Sequence, residues 1–377
     1  MSTELRALVD ELALVDHHCH GVIHHDPTRA VFDDLITESP WPSPPGTSGW
    51  DSQIGLAIRR RCAPLLDLAA SCSAEQYLAR RTELGASEVN RRLLGAARLD
   101  VLLLDTGYRG DDILDVPAMA EVTGATTHEI VRLEAVAELV AAKLVAGVGY
   151  ADEFRAALAQ ATRGAVGLKS IAAYRYGLDF APERPSDDEV NARAAAWIDQ
   201  IARSGSVRLD DPVLLRFGLW CGVDLRLPLQ FHVGYGDADV DLARCNPLLM
   251  TSWLKATRES GASVMLLHCY PYHREAGYLA QVYPHVYCDV GLAINYTGAR
   301  SAAIIAESLE LTPFHKALFS SDAFGLPELY YLGAQLFRQG LVETLESWIE
   351  GGHASIDDAE RIAELIGNGN ARRVYRL

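Results

Sequence analysis

The chain has 377 residues, 49% of them hydrophobic, and sets 34 Lys and Arg against 50 Asp and Glu for a formal net charge of −16. That size and apolar content suit one large α/β domain or two small ones. The acidic balance, with no basic stripe to neutralise phosphates, argues against nucleic acid as a partner, and no apolar run is long enough to cross a bilayer.

The first apolar run, Ala13-Leu14-Val15, predicts a strand that ends in Asp16-His17-His18-Cys19-His20. Alternate strand residues leave on one face, so His18 and His20 are expected to point the same way, together with Asp16. Further strands are expected over Leu99–Asp105, His128–Glu134, Ala165–Ser170, Leu227–His232, Ser263–His268, His285–Val290 and Ala317–Asp322. Several are apolar on both faces, as parallel strands covered on both sides should be. Most are separated by helix-forming stretches, among them Ala135–Ala146 and Asn191–Ser204, which are Ala-rich and amphipathic. Eight strand–helix units predict an α/β fold of the (β/α)8 TIM-like barrel type, whose functional groups sit at the C-terminal strand ends.

The first unit is too long for that pattern. Between Phe32 and Ala97 lie a Pro/Gly/Trp loop, Trp41 to Trp50, and a mostly helical stretch. A connection of this length carries its own structure or a function. Residues 33–97 are therefore read as a helical insertion capping the barrel mouth, within one domain spanning 1–377.

The polar start, Met1-Ser2-Thr3-Glu4-Leu5-Arg6, lacks the basic-then-apolar pattern of a secretory signal. The seven cysteines are scattered, odd in number and free of Cys-x-x-Cys pairs, which suits reduced, buried thiols and a cytoplasmic location. The clusters Arg59-Arg60-Arg61 and Arg372-Arg373 read as solvated helix faces.

Two imidazoles at one strand end supply half of a divalent-metal site. His18, His20, Lys169, His232, His268 and Asp322 each end a successive predicted strand, and that ordering favours a metal site over isolated structural residues. Arg132, Arg175 and Arg274 also follow strand ends. Arginine forks bind carboxylates through paired hydrogen bonds, so these three, with Glu134 beside Arg132, form the expected substrate-binding set. His17, His24 and His25 read as loop polar residues, and His315 and His353 as surface residues.

Asp-x-His-x-His on strand one, Lys on strand four, His on five, His on six and Asp on eight resemble the amidohydrolase superfamily. The strings Lys169 to Leu178, Gln230 to Asp237, Pro271 to Tyr278 and Ser321 to Glu328 are similar to its amidohydrolase-related branch. That branch includes domains fused to glutamine-synthetase-like halves in nodulin-type and fungal developmental proteins. The resemblance implies that His18, His20 and Asp322 hold a divalent metal. His232 and His268 would hold a second metal, or contact the first metal and the substrate. Lys169 would bridge two metals as a carbamate, or bind substrate as an ammonium.

The activity so implied is metal-dependent hydrolysis of a C–N amide bond in a small carboxylate-bearing substrate, such as a γ-glutamyl amide, by metal-activated water. Asp322, His268 and Lys169 are the expected catalytic groups. Zinc suits imidazole and carboxylate ligands, one or two ions per chain, and manganese or iron fits the same set. Alternatives within the superfamily are a one-metal decarboxylase and a uronate-isomerase-like enzyme. A non-catalytic developmental or binding module is a further alternative. A homo-oligomer is also compatible, with Tyr330-Tyr331-Leu332-Gly333-Ala334 either at an interface or packed behind strand eight.

Overall fold

The computed structural model describes residues 3–144 and 149–377. Seven parallel strands are paired in sequence order: β1 Leu14–Cys19, β2 Leu99–Asp105, β3 Thr126–Arg132, β4 Gly167–Ser170, β5 Leu229–His232, β6 Val264–Leu267 and β7 Val286–Cys288. Each junction between strands carries helix, as parallel pairing requires. The third strand lies two residues earlier than its predicted span, because Leu133 and Glu134 already begin the helix Leu133–Ala141. The helix expected over Ala135–Ala146 is thus shifted forward, and Val145 and Ala146 lie outside the described residues, as do Met1 and Ser2 of the predicted polar start.

The expected eighth strand closes the sheet without forming a regular ladder. Ala317 makes a parallel bridge to Cys288, and the Leu318 N–H donates to Cys288 O at 3.1 Å. On the other side Phe319 O accepts from the His17 N–H at 3.2 Å, and the Asp322 N–H donates to His18 O at 3.1 Å. Asp322 has φ 49°, in the left-handed region, so the chain leaves the extended conformation where its carboxylate is needed.

The barrel interior is filled at one end by Val15, Val101, Leu103, Ile130, Met265, Leu267 and Leu318, packed against Ala371 and Tyr375 of the short Asn370–Tyr375 helix. Gly167 makes room there. A Cβ at that position would stand 2.7 Å from Ile130 Cδ1 and 3.0 Å from Tyr375 Cε1. The outward strand faces pack on the surrounding helices in two larger clusters. Burial of apolar surface on both faces of the sheet is the main force holding this arrangement.

The long first connection contains the helices Arg29–Asp34, Gln53–Ala57, Ala74–Leu84 and Ala86–Ala97. Ala86–Ala97 packs on the long Pro327–Glu350 helix as a member of the outer layer. Ala74–Leu84 is tied to the first turn of the same helix. Arg81 pairs with Glu328 at 2.6 Å, and the Tyr77 hydroxyl donates to Glu328 Oε1 at 2.8 Å, all three side chains being buried. Trp50 stacks on Phe32, with ring centroids 5.2 Å apart. The Tyr330–Ala334 run lies within the Pro327–Glu350 helix, behind the eighth segment, and the Tyr330 hydroxyl donates to His20 O. Among the described residues, no helix is long and apolar enough to cross a membrane.

Candidate metal centre

β1 delivers its histidines through a break in register. Val15 faces the barrel interior, and His17 bonds there to Tyr375, so simple alternation would turn His18 away. The pairing of β1 with β2 shifts between Asp16 and Cys19, and this irregularity brings His18 and His20 to the C-terminal mouth. Asp16 does not share their face as the alternation predicts. It is fully buried and accepts from the backbone N–H and hydroxyl of Ser321, joining β1 to the eighth segment. Burial pushes its carboxyl up to about 7.

His18, His20, Lys169, His232, His268 and Asp322 line one cavity of about 300 Å³. Asp322 Oδ1 lies 3.1 Å from His18 Nε2 and 3.7 Å from His20 Nε2, and Asp322 Oδ2 lies 3.4 Å from His268 Nε2. Lys169 Nζ is 3.3 Å from His18 Nε2. The His232 ring stands 4.8 Å from that of His268 and 4.3 Å from that of Tyr174. Gly236 permits this approach, since a Cβ there would come within 2.3 Å of the Tyr174 hydroxyl and 3.0 Å of His232 Nε2.

The imidazole tautomers follow from their outer partners. Gln230 donates through Nε2 to His17 O at 2.7 Å and to the Tyr375 hydroxyl at 2.8 Å, which leaves Oε1 as an acceptor for His18 Nδ1–H at 2.9 Å. His20 Nδ1–H donates to the carbonyl of Asp105 at 2.9 Å. Both Nε2 lone pairs therefore face the same carboxylate oxygen, an arrangement that a cation stabilises and that would otherwise be repulsive. His232 Nε2 and His268 Nδ1 are buried without a hydrogen-bond partner among the described residues. Ligand atoms bound to one small divalent ion at about 2.0–2.2 Å lie roughly 3 Å apart. Asp322 meets that spacing to His18 and His268, and the three ligand atoms lie within 4.8 Å of one another, so the donor set fits such an ion.

Charge in the site follows from its dryness. Burial drives the imidazoles toward the neutral form: His18 down to about 3, with Lys169 adding to the effect, and His268 down to about 4. His232 is held well below its ordinary value by burial and His268. Burial also lowers Lys169 to about 8, against the pull of Asp322 and Asp105. Asp322 is drawn well below the usual carboxylate range, against its burial, by positive charge on His268 and by hydrogen bonds from His18 and His20 when those rings carry a proton toward it, a place that a cation can take. Neutral imidazoles and an ionised carboxylate are the ligand states a divalent metal requires.

His268 is set by its backbone as well. It lies at φ 68° and Cys269 at φ 43°, in two successive three-residue turns closed by Cys269 N–H to Leu267 O and Tyr270 N–H to His268 O. Asp289 Oδ1 accepts from the His268 N–H at 3.0 Å, and Asp289 Oδ2 lies 2.9 Å from His17 Nε2. A non-glycine residue held at positive φ by its neighbours is a frequent mark of a functional position.

The predicted substrate arginines divide. Arg132 lines the cavity and is held by Asp105 through contacts of 2.6 and 3.1 Å. Arg175 also lines it, 3.1 Å from Glu138. Arg274 does not reach the site. It is exposed on the helix His273–Val282 and pairs with Glu310 at 2.8 Å and Glu307 at 3.4 Å, because that helix turns its charged face toward Ser301–Ser308 and the turn after it. Glu134 is not part of the cavity wall. It is buried beneath the wall and accepts from the Ser170 hydroxyl at 2.7 Å and the Ile171 N–H at 3.1 Å. His24 and His25 are exposed, and His17 is a buried support.

Sequence reasoning did not single out Asp105, Gln230, Asp289 or Tyr375 as supports, nor Glu38, Tyr108, Arg208, Asp237, Asn295 and Tyr296 as lining residues. Asp105 and Gln230 stand at the end and in the middle of predicted strands, which was the available signal. Glu38 and Tyr375 lie in segments whose place in space depends on tertiary packing.

A sequence profile of the amidohydrolase family matches residues 90–377. The fluG protein of Emericella nidulans is 28% identical over 414 residues, an alignment that includes all of this chain but only 47% of that protein. The chain thus spans about half the length of this curated relative. A crystal structure from Lactobacillus casei ATCC 334, provisionally assigned as a metal-dependent hydrolase, is 34% identical, with a TM-score of 0.84 over 99% of this chain and 97% of that one. The fold is shared more distantly with glucuronate isomerase of Caulobacter crescentus, at 14% identity and a TM-score of 0.63 over 99% and 93% of the two chains. With a profile match over most of its length, and with imidazoles and a carboxylate converging at the mouth of a parallel barrel, this chain belongs to the amidohydrolase family of metal-dependent hydrolases.

Proposed function

We propose that the chain hydrolyses a C–N amide bond in a small carboxylate-bearing molecule, with a γ-glutamyl amide as the first candidate. The observation that carries this reading is the convergence of three imidazole Nε2 atoms on the Asp322 carboxylate. His18, His20 and Asp322 would hold the metal. His268 and His232 would complete it, hold a second ion, or meet the substrate, and Lys169 would bridge two ions as a carbamate or serve as a free ammonium. Zinc is the first candidate, with manganese and iron compatible. When bound, a divalent ion lowers the pKa of water to roughly 7 and polarises a carbonyl.

The protein's own groups supply the remainder. Asp322, kept ionised, can take a proton at its carboxylate oxygen and return it to the leaving nitrogen. His268, neutral and aimed at Asp322 Oδ2, can donate to or accept from the same atoms. Arg132 and Arg175 provide positive potential on the cavity wall for a substrate carboxylate. In this reading residues 33–97 cap the mouth of a single domain, a view supported by the position of Asp34, Leu35, Thr37 and Glu38 in the cavity wall. The γ-glutamyl choice rests on the resemblance to domains fused with glutamine-synthetase-like halves, and is an analogy.

The test is product analysis with metal-loaded protein and a panel of amides and unsaturated acids. Amine release that is lost in Asp322→Asn, with the fold retained, is expected. Carbon dioxide release without amine would assign the one-metal decarboxylase instead.

A further inference from the structure

Charge in the cavity is segregated: its arginines are paired, while Glu38 and the nearby Asp237 make no ion pair among the described residues. Each cavity arginine is already paired: Arg132 with Asp105, Arg175 with Glu138, Arg109 with Asp112, and Arg208 with Asp239 and the Tyr174 carbonyl. Arg175 lies within range of Arg208 and Arg132, which marks that part of the wall as basic. Glu38, supplied by the long first connection, makes no ion pair among the described residues. Its polar partner is the hydroxyl of the half-buried Tyr296, which donates to it, and its charged neighbours are the carboxylates Asp322 and Asp237. Asn295, adjacent in sequence to Tyr296, borders the same cavity but is tied to the eighth segment, its Nδ2 donating to Ser321 O at 3.2 Å and its Oδ1 facing Gly333. A carboxylate on a cavity wall with only carboxylates as charged neighbours lacks a multiply donating cation.

We propose that Glu38, held by Tyr296 and flanked by Asp237, receives a cationic amino group of the substrate, so that the cavity is built for a zwitterion. The ammonium would sit on the Glu38 side, and the carboxylate on the Arg132–Arg175–Arg208 side. The assignment rests on the amide-hydrolase reading and narrows its substrate class to amides of amino acids that keep a free amine.

The probes are L-glutamate and glutarate, which differ only in the amino group. Calorimetric titration of zinc-loaded wild type should show L-glutamate bound at least about tenfold more tightly, the scale of one charge-assisted contact. Glu38→Gln, close in shape, should erase that preference while keeping metal content and glutarate affinity. Equal affinities in wild type, a preference retained in the variant, or no binding of either probe at millimolar concentration would each overturn the proposal. γ-L-glutamyl-p-nitroanilide and glutaryl-p-nitroanilide separate it from the hydrolase reading. Binding preference without turnover of either anilide would defeat the hydrolase and leave Glu38 its role. Equal turnover of both anilides would keep the hydrolase and remove that role.

Discussion

Tyr375 lies 358 positions from His17 and bonds to it at 3.1 Å, while also accepting from Gln230, whose Oε1 fixes His18. One phenol thus sets the tautomer of a proposed metal ligand that it does not touch. Tyr375→Phe removes one of the two acceptors that orient the Gln230 amide and leaves His17 O to hold it alone. We expect metal affinity to fall about 10- to 100-fold, the usual cost of losing an outer partner of a metal-binding His, with the far-ultraviolet circular dichroism unchanged. Competition with a chelating dye measures it, and an unaltered affinity would refute the relay. The contrast between Arg132 and Arg274 belongs to the same scale. Both follow strand ends in the sequence, yet only Arg132 enters the cavity, because the direction of Arg274 is decided by the helix that carries it and by Glu307 and Glu310 on a neighbouring segment.

At the level of elements, the first connection is clamped to the barrel by one buried ion pair. Glu328 is fully buried in the first turn of its helix, where the helix dipole favours a carboxylate, and Arg81 reaches it from Ala74–Leu84. Arg81→Met would leave Glu328 uncompensated and should cost about 3–5 kcal/mol of stability in urea unfolding. Adding Glu328→Gln to it should recover a good part of that loss. A loss below about 1 kcal/mol would show that the clamp is not structural. The loop after β5 makes a separate prediction. Gly236→Ala would place a methyl against Tyr174 and His232. Activity should drop about 100-fold, as expected for a displacement near 1 Å at a reacting centre, with little change in melting temperature. Near-normal kcat/KM in that variant would show that the packing of Tyr174 on His232 does not matter to the chemistry.

Over the whole molecule, the two ends of the barrel carry different properties. His285, just before β7 and so away from the cavity, is buried with Thr257, and burial together with Lys316 and Arg258 pushes it down to about 4. A histidine whose folded pKa lies below its ordinary 6.5 binds fewer protons folded than unfolded. Its contribution is therefore intact above pH 6.5 and is lost as pH falls toward 4, by an amount of order 2 kcal/mol once solvent screening is allowed for. His285→Leu should lose less stability than wild type between those limits, and parallel denaturation curves for the two proteins would contradict this.

The barrel itself was legible because strands buried on both faces print continuous apolar runs, and because the strand-end histidines, Lys169 and Asp322 recur in order. Two features were not. The break in register that turns His18 and His20 inward without Asp16 depends on pairing with β2. The eighth segment reads as a strand, yet its backbone turns to positive φ at Asp322.

The central claim is that His18, His20 and Asp322 hold a divalent ion. Elemental analysis of protein purified without chelator or added metal tests it most directly, with Asp322→Asn alongside. The account predicts at least one equivalent of a divalent transition metal per chain in wild type and a clear loss in the variant. Metal-free wild-type protein that takes up neither zinc nor manganese on addition would contradict it.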